Sequence, residues 1–288
     1  MLTRRDFLKI TGGSTVAWYV ATQTGWIQGA VAAIPGGSLE PGVIPRFVTP
    51  LLIPPVMPRA GVITQRGGKP IDSYEISMRQ FSQQILPSPM PATTVWGYGA
   101  VRSASKRGLL VHNAPSLTIE ARWNRPVRIT WINDLVAANG DFLPHLLPVD
   151  PTLHWANPPG GIDGRDMRPT FETTPGPYTG PVPIVTHVHG AASVGDESDG
   201  YAEAWYLPAA NDIPEGYATE GTWYDFFANK AAAKYGVGWG PGSATFQYPN
   251  SQRASTIWYH DHALGMTRLN VYAGPAGFFL IRGGPEGD

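Results

Sequence analysis

Thr256-Ile257-Trp258-Tyr259-His260-Asp261-His262 is a strand-like run ending in two histidines one residue apart. On a β-strand residues i and i+2 face the same side, so the run offers two imidazoles next to each other. Pro183-Ile184-Val185-Thr186-His187-Val188-His189 repeats the pattern. The chain has seven histidines in 288 residues. Chance placement gives roughly 0.2 such pairs, so two is a signal. One pair alone reads more readily as a solvated or hydrogen-bonded edge than as a metal site. Two pairs, each after a strand-like run, point to a shared metal pocket with four nitrogen ligands. Imidazole suits copper, zinc, iron and nickel. With no cysteine in the chain, copper is the first choice and zinc the second. His112, His145 and His154 read as loop or core histidines bonded to backbone.

Working outward, further short strands are expected at Ser73 to Phe81, Ser116 to Trp123, Val127 to Ile132, Ala244 to Tyr248 and Ala276 to Ile281. Gly (34) and Pro (29) are abundant, as turns between short strands require. The fold class expected is all-β, an antiparallel sandwich or barrel. One helix is predicted over Trp223 to Tyr235, and the segments 137–181 and 195–243 are long enough to carry function or cover an edge. Hydrophobic residues make up 42% and charged residues 15%, with net charge −1. That composition supports a packed core and excludes an electrostatically driven nucleic-acid binder. The absence of cysteine also excludes disulfides, thiolate nucleophiles, Fe–S clusters and a blue-copper centre within this chain.

The N-terminus carries Arg4-Arg5-Asp6-Phe7-Leu8-Lys9, a weakly apolar stretch and Ala30-Val31-Ala32-Ala33. This resembles a twin-arginine export signal over residues 1–33, with a small-residue cleavage pattern. It is too polar for a membrane span, and the expected location is periplasmic or extracellular. Residues 34–60 are Pro-rich and read as an extended arm. Residues 61–282 form the expected domain, and 283–288 the start of a linker.

Two clusters carry a family resemblance. His187-Val188-His189-Gly190, with Ser198-Asp199-Gly200-Tyr201 and Glu203-Ala204-Trp205, resembles the first copper motif of multicopper oxidases, in the spore-coat laccase and bilirubin oxidase branch. Trp258-Tyr259-His260-Asp261-His262-Ala263, followed by Thr267-Arg268-Leu269-Asn270, resembles the second motif. Trp96-Gly97-Tyr98 and Leu147-Pro148-Val149-Asp150 are weaker echoes. The resemblance implies the first of three cupredoxin-like Greek-key domains, with long loops and one short helix. It implies that His187 ligates a type 2 copper, that His189 and His260 share one type 3 copper, and that His262 ligates the other. It implies that Asp199 helps deliver protons to reduced oxygen; the plainer reading of Asp199 is a turn cap. Dioxygen and a small-molecule reductant, phenolic or similar, are the implied reactants.

The third and fourth motifs and the blue-copper ligands of that family are missing, and the chain stops where the family runs on into a second domain. This chain therefore matches four of eight cluster ligands. Alone it is expected to bind copper weakly, about one ion, and to have little or no oxidase activity. The expectation is a gene fragment, a truncated gene model or one half of a split enzyme. Rival readings are a stand-alone periplasmic copper-binding β module, a cupin-like mononuclear metalloenzyme, and a non-catalytic domain completing a site with a partner chain. Asp261 is expected on the opposite strand face, bonded to backbone or Arg268. The Trp258-Tyr259 pair reads as core packing.

Overall fold

A computed structural model describes residues 39–101 and 111–287. The segment expected to be an export signal, 1–33, lies outside the described residues. Two units are distinguished, 1–43 and 44–288. Of the first, the described part is a 3-10 turn at Pro41–Val43. All that follows concerns the second.

The second unit is two open sheets. The first contains β1 (Gly61–Ile63), β2 (Ile71–Gln83), β3 (Thr93–Ala100), β4 (Val111–His112), β6 (Val127–Asn133) and β8 (Ser243–Tyr248). Its order is β4-β3-β2-β6-β8, with β1 beside β2. The second contains β5 (Ser116–Arg122), β7 (Thr186–His189), β9 (Ser255–Asp261) and β10 (Ala276–Arg282), in the order β5-β10-β9-β7. The all-β expectation holds, with two corrections. Both sheets are mixed, because β2 and β6 run parallel, as do β5 and β10. Three helices occur among the described residues instead of one: α1 (Gly161–Gly164), α2 (Tyr224–Tyr235) and α3 (Thr267–Tyr272). α3 lies inside the second motif, where six residues leave too short a period to read.

Alternation explains the sandwich. β6 buries Val127, Ile129 and Trp131 and turns Arg128 and Thr130 outward. β10 buries Phe279 and Ile281 and exposes Phe278 and Arg282. The two inner faces meet at Tyr98, Trp131 and Tyr259, whose ring centroids stand 5.3 to 5.5 Å apart. Burying each such side chain contributes about 1.5–3 kcal/mol. Their polar ends are satisfied: the Tyr259 hydroxyl donates to the Leu117 carbonyl, and Trp131 Nε1 to the Tyr248 hydroxyl. The Pro-rich arm joins the second sheet through Met57 and Thr118, whose amides donate to Thr118 and Pro55 carbonyls respectively. This adds an edge contact to β5.

α2 buries Tyr224, Phe227 and Ala231 along one face and ends at Gly236 in the left-handed conformation (φ 65°), the usual glycine stop. Its last turn holds the segment after β7. Lys234 and the Tyr235 hydroxyl both donate to the buried Glu197 carboxylate at 2.7 Å, and Lys230 pairs with Asp196. That segment reaches the histidines.

Candidate metal centre

Strand register brings the two pairs together. β7 and β9 are antiparallel, with His187 opposite His260, His189 opposite Trp258, and Thr186 opposite Asp261. Directly opposed residues share a face, so the histidines line the outer face while Val188 and Tyr259 enter the core. A slip of one residue would place Asp261 or Tyr259 opposite His187 instead. His262 lies just past the end of β9, fixed by its amide donating to the Val185 carbonyl at 2.7 Å.

Four rings result in one cluster. From His187 the centroids of His189, His260 and His262 lie 5.7, 5.6 and 5.1 Å away. His260 is 5.6 Å from His189 and 5.9 Å from His262. His260 Nε2 and His189 Nδ1 approach to 3.4 Å. The second nitrogens are tied back: His187 Nδ1 donates to the Asp199 carbonyl at 2.5 Å, and His260 Nδ1 to the Asp261 carbonyl at 2.6 Å. Such bonds fix the tautomer that leaves Nε2 free to ligate. His262 Nδ1 is buried with no hydrogen-bond partner.

Electrostatics keeps the β9 pair neutral. Burial, then the neighbouring histidines, lowers His260 to about 4. Burial and His187 lower His262 as well. A neutral imidazole is the form that binds metal.

Three features escape the sequence reading or correct it. Trp258 is 38% exposed and lies on the outer face, so it is not core. It stacks on His260 with centroids 4.1 Å apart and on His189 at 5.3 Å. The i, i+2 parity that pairs His260 with His262 also places position 258 there. Asp261 is fully buried and bonds backbone, as expected, but its side-chain partner is Asn270 and not Arg268. Asp199 caps the end of the Asp196–Ser198 turn, and its carboxylate stands 3.6 Å from His187 Nδ1, half exposed. The imidazole is held mainly by the Asp199 carbonyl.

Two glycines of the motif have steric reasons. A Cβ on Gly200 (φ 78°) would collide with the Thr186 carbonyl oxygen and lie 3.0 Å from His187 Cα. Only glycine lets this segment lie on β7. Gly190 (φ 90°) turns the chain directly after His189.

The remaining histidines have other partners. His112 Nε2 is 3.0 Å from the Ser77 hydroxyl, and His154 Nε2 lies 2.8 Å from the Asp166 carbonyl. His145 Nδ1 accepts from the Leu147 amide at 2.8 Å while its ring meets Trp96 edge-on at 4.6 Å.

A laccase of Bacillus subtilis is 32% identical over 208 residues, covering 72% of this chain and 29% of the relative. A laccase of Haloferax volcanii is 33% identical over 266 residues, covering 90% of this chain and 35% of the relative. This chain belongs to the multicopper oxidase family. It spans about a third of the length of the curated relatives it matches. A multicopper oxidase structure from Pediococcus acidilactici covers 83% of this chain and 30% of its own, at 16% identity and a TM-score of 0.44. No protein-family model matches. Among the described residues, no helix is long and apolar enough to cross a membrane.

Proposed function

We propose that this chain is the N-terminal cupredoxin-like part of a multicopper oxidase, exported by a twin-arginine-type signal, with residues 61–282 as its domain. The whole enzyme oxidises phenolic or similar reductants and reduces dioxygen to water at a three-copper cluster. His187, His189, His260 and His262 would hold copper. The observation that carries this reading is the β7–β9 register, which sets His187 across from His260 and collects four rings in one cluster. The donor set fits: all four are imidazoles, none is paired with a carboxylate through both nitrogens, and the β9 pair is held neutral by burial.

Copper, when bound, supplies one-electron chemistry toward dioxygen. This chain's own residues supply three things. His189 Nδ1 and His260 Nε2, 3.4 Å apart, form a two-nitrogen mouth suited to one shared ion. The Asp199 carbonyl and the Trp258 indole orient the His187, His189 and His260 rings. The Asp199 carboxylate, half exposed beside His187, can take a proton from solvent and pass it toward the cluster. Among the described residues no three His, Asp or Glu side chains are arranged to hold an ion by themselves. That the chain spans about a third of the length of its laccase relatives supports the oxidase part over a stand-alone copper module.

The test is a copper titration and a phenolic-dye assay on the chain alone and with a polypeptide carrying the remaining oxidase domains. The chain alone should bind about one copper and not turn over, while the mixture should gain copper and activity. Equal copper uptake and no activity in both would reject the proposal.

A further inference from the structure

The ladder joining the two histidine strands is short: it runs only from Thr186–Asp261 to His189–Trp258. Beyond it, toward Pro183, one backbone bond continues, from the His262 amide to the Val185 carbonyl at 2.7 Å, and side chains supply the rest. Asp261 Oδ1 accepts from the Val185 amide at 3.0 Å, and Oδ2 accepts from the Ala263 amide at 3.1 Å. Asn270 of α3 donates through Nδ2 to Asp261 Oδ2 at 2.8 Å and to the Pro183 carbonyl at 3.0 Å. Both residues are completely buried. The pair thus ties three pieces together: the entry to β7, the end of β9 and α3. Asp261 opposes Thr186 on the inner side of the sheet, the face opposite the one that carries His187 and His260.

We propose that Asp261 and Asn270 are positioning residues that set the spacing and tilt of the two His-X-His pairs, and that neither touches metal. A carboxylate buried among Tyr98, Tyr206 and other core groups is expensive to desolvate, and an apolar side chain of similar volume is often the more stable choice. What the carboxylate provides and an apolar side chain cannot is two acceptors, one for each strand. Ile184 stays paired with Tyr206, and Val185 with His262, so removing Asn270 loosens the entry to β7 without detaching it, and the rings at 187 and 189 shift relative to those at 260 and 262. Asn270 Oδ1 and His145 Nε2 are both buried with no hydrogen-bond partner.

This inference rests on the copper reading above. The experiment is a Cu(II) titration of the full chain followed by electron paramagnetic resonance, with unfolding curves for every variant. Asn270→Leu and Asp261→Asn should each lower Cu(II) affinity at least about tenfold and change the copper hyperfine pattern. Tyr248→Phe, which removes a buried hydrogen bond in the other sheet, should lower stability and leave the copper spectrum unchanged. If Asn270→Leu does not fold, Asn270→Gln, which keeps the amide but displaces it, serves as the milder variant and should shift the spectrum in the same direction. The inference is overturned if the tie variants bind copper as the parent does, or if Tyr248→Phe alters the spectrum equally. If His187→Ala and His260→Ala leave copper binding intact, the copper reading itself fails, and the tie with it.

Discussion

The two histidine pairs share one spacing but live in different surroundings. His260 is 5% exposed, covered by Trp258 and held neutral, with its second nitrogen bonded to its own neighbour's carbonyl. His187 and His189 are more open, and His187 depends on a carbonyl from a distant segment, placed there by α2 and a glycine. The β9 pair is built by its own strand; the β7 pair is built by what folds over it. Preorganisation here is therefore uneven, and changes at a distance should reach the β7 pair first.

The largest effect is expected from Gly200→Ala. The added methyl meets the Thr186 carbonyl, so the segment lifts from β7. A loss of about 3 kcal/mol in unfolding free energy and loss of the His187–Asp199 contact should follow. Denaturant curves and the His187 ring signals check this. Unchanged His187 signals would show that the segment does not position the β7 pair.

Trp258→Ala comes next. It strips the cover from His260 and His189, so the His260 pKa should climb from about 4 toward the ordinary 6.5, and copper affinity should fall about tenfold. An NMR pH titration of the ring protons measures the first directly.

A third prediction concerns the metal-free protein and pH. Burial lowers His112, His145 and His260 each to about 4 from 6.5. The unfolded chain then binds more protons than the folded one between those values, so stability rises with pH across that window. Asp261, raised by burial to about 7 from 3.8, works the other way. Its contribution is full below 3.8 and is lost as pH rises through 7. Three groups outweigh one, so the midpoint of unfolding should rise from pH 4 to 6.5, and Asp261→Asn should steepen the rise. A flat or falling profile would contradict the burial of these imidazoles.

The smallest effect is expected from Asp199→Asn. The backbone carbonyl holds His187, so copper affinity in the isolated chain should change by less than about threefold. A larger loss would make the carboxylate a positioning group as well.

Much of this site is legible in the amino-acid order itself. Period-two parity puts each pair on one face, and strand-like flanks locate β7 and β9. Parity does not specify register: nothing local says that His187 meets His260 and not His262, because long-range pairing is set by the whole sheet. Parity also puts position 258 on the histidine face, yet the size and apolarity of Trp258 argue for the core, where large aromatics usually lie. Asn270 falls within the second motif, but nothing local announces its role. Its role arises from three segments that meet only in the fold, and a six-residue helix shows no periodicity to announce it. The parallel pairings are hidden for a related reason: short strands between turns look alike whichever direction their neighbours run.

The central claim is that these four rings form one copper-binding cluster. A Cu(I) titration followed by imidazole ¹H–¹⁵N spectra of the full chain tests it most directly. Signals of His187, His189, His260 and His262 should shift together while His112, His145 and His154 stay in place. Shifts confined to those last three, or to one pair alone, would contradict it.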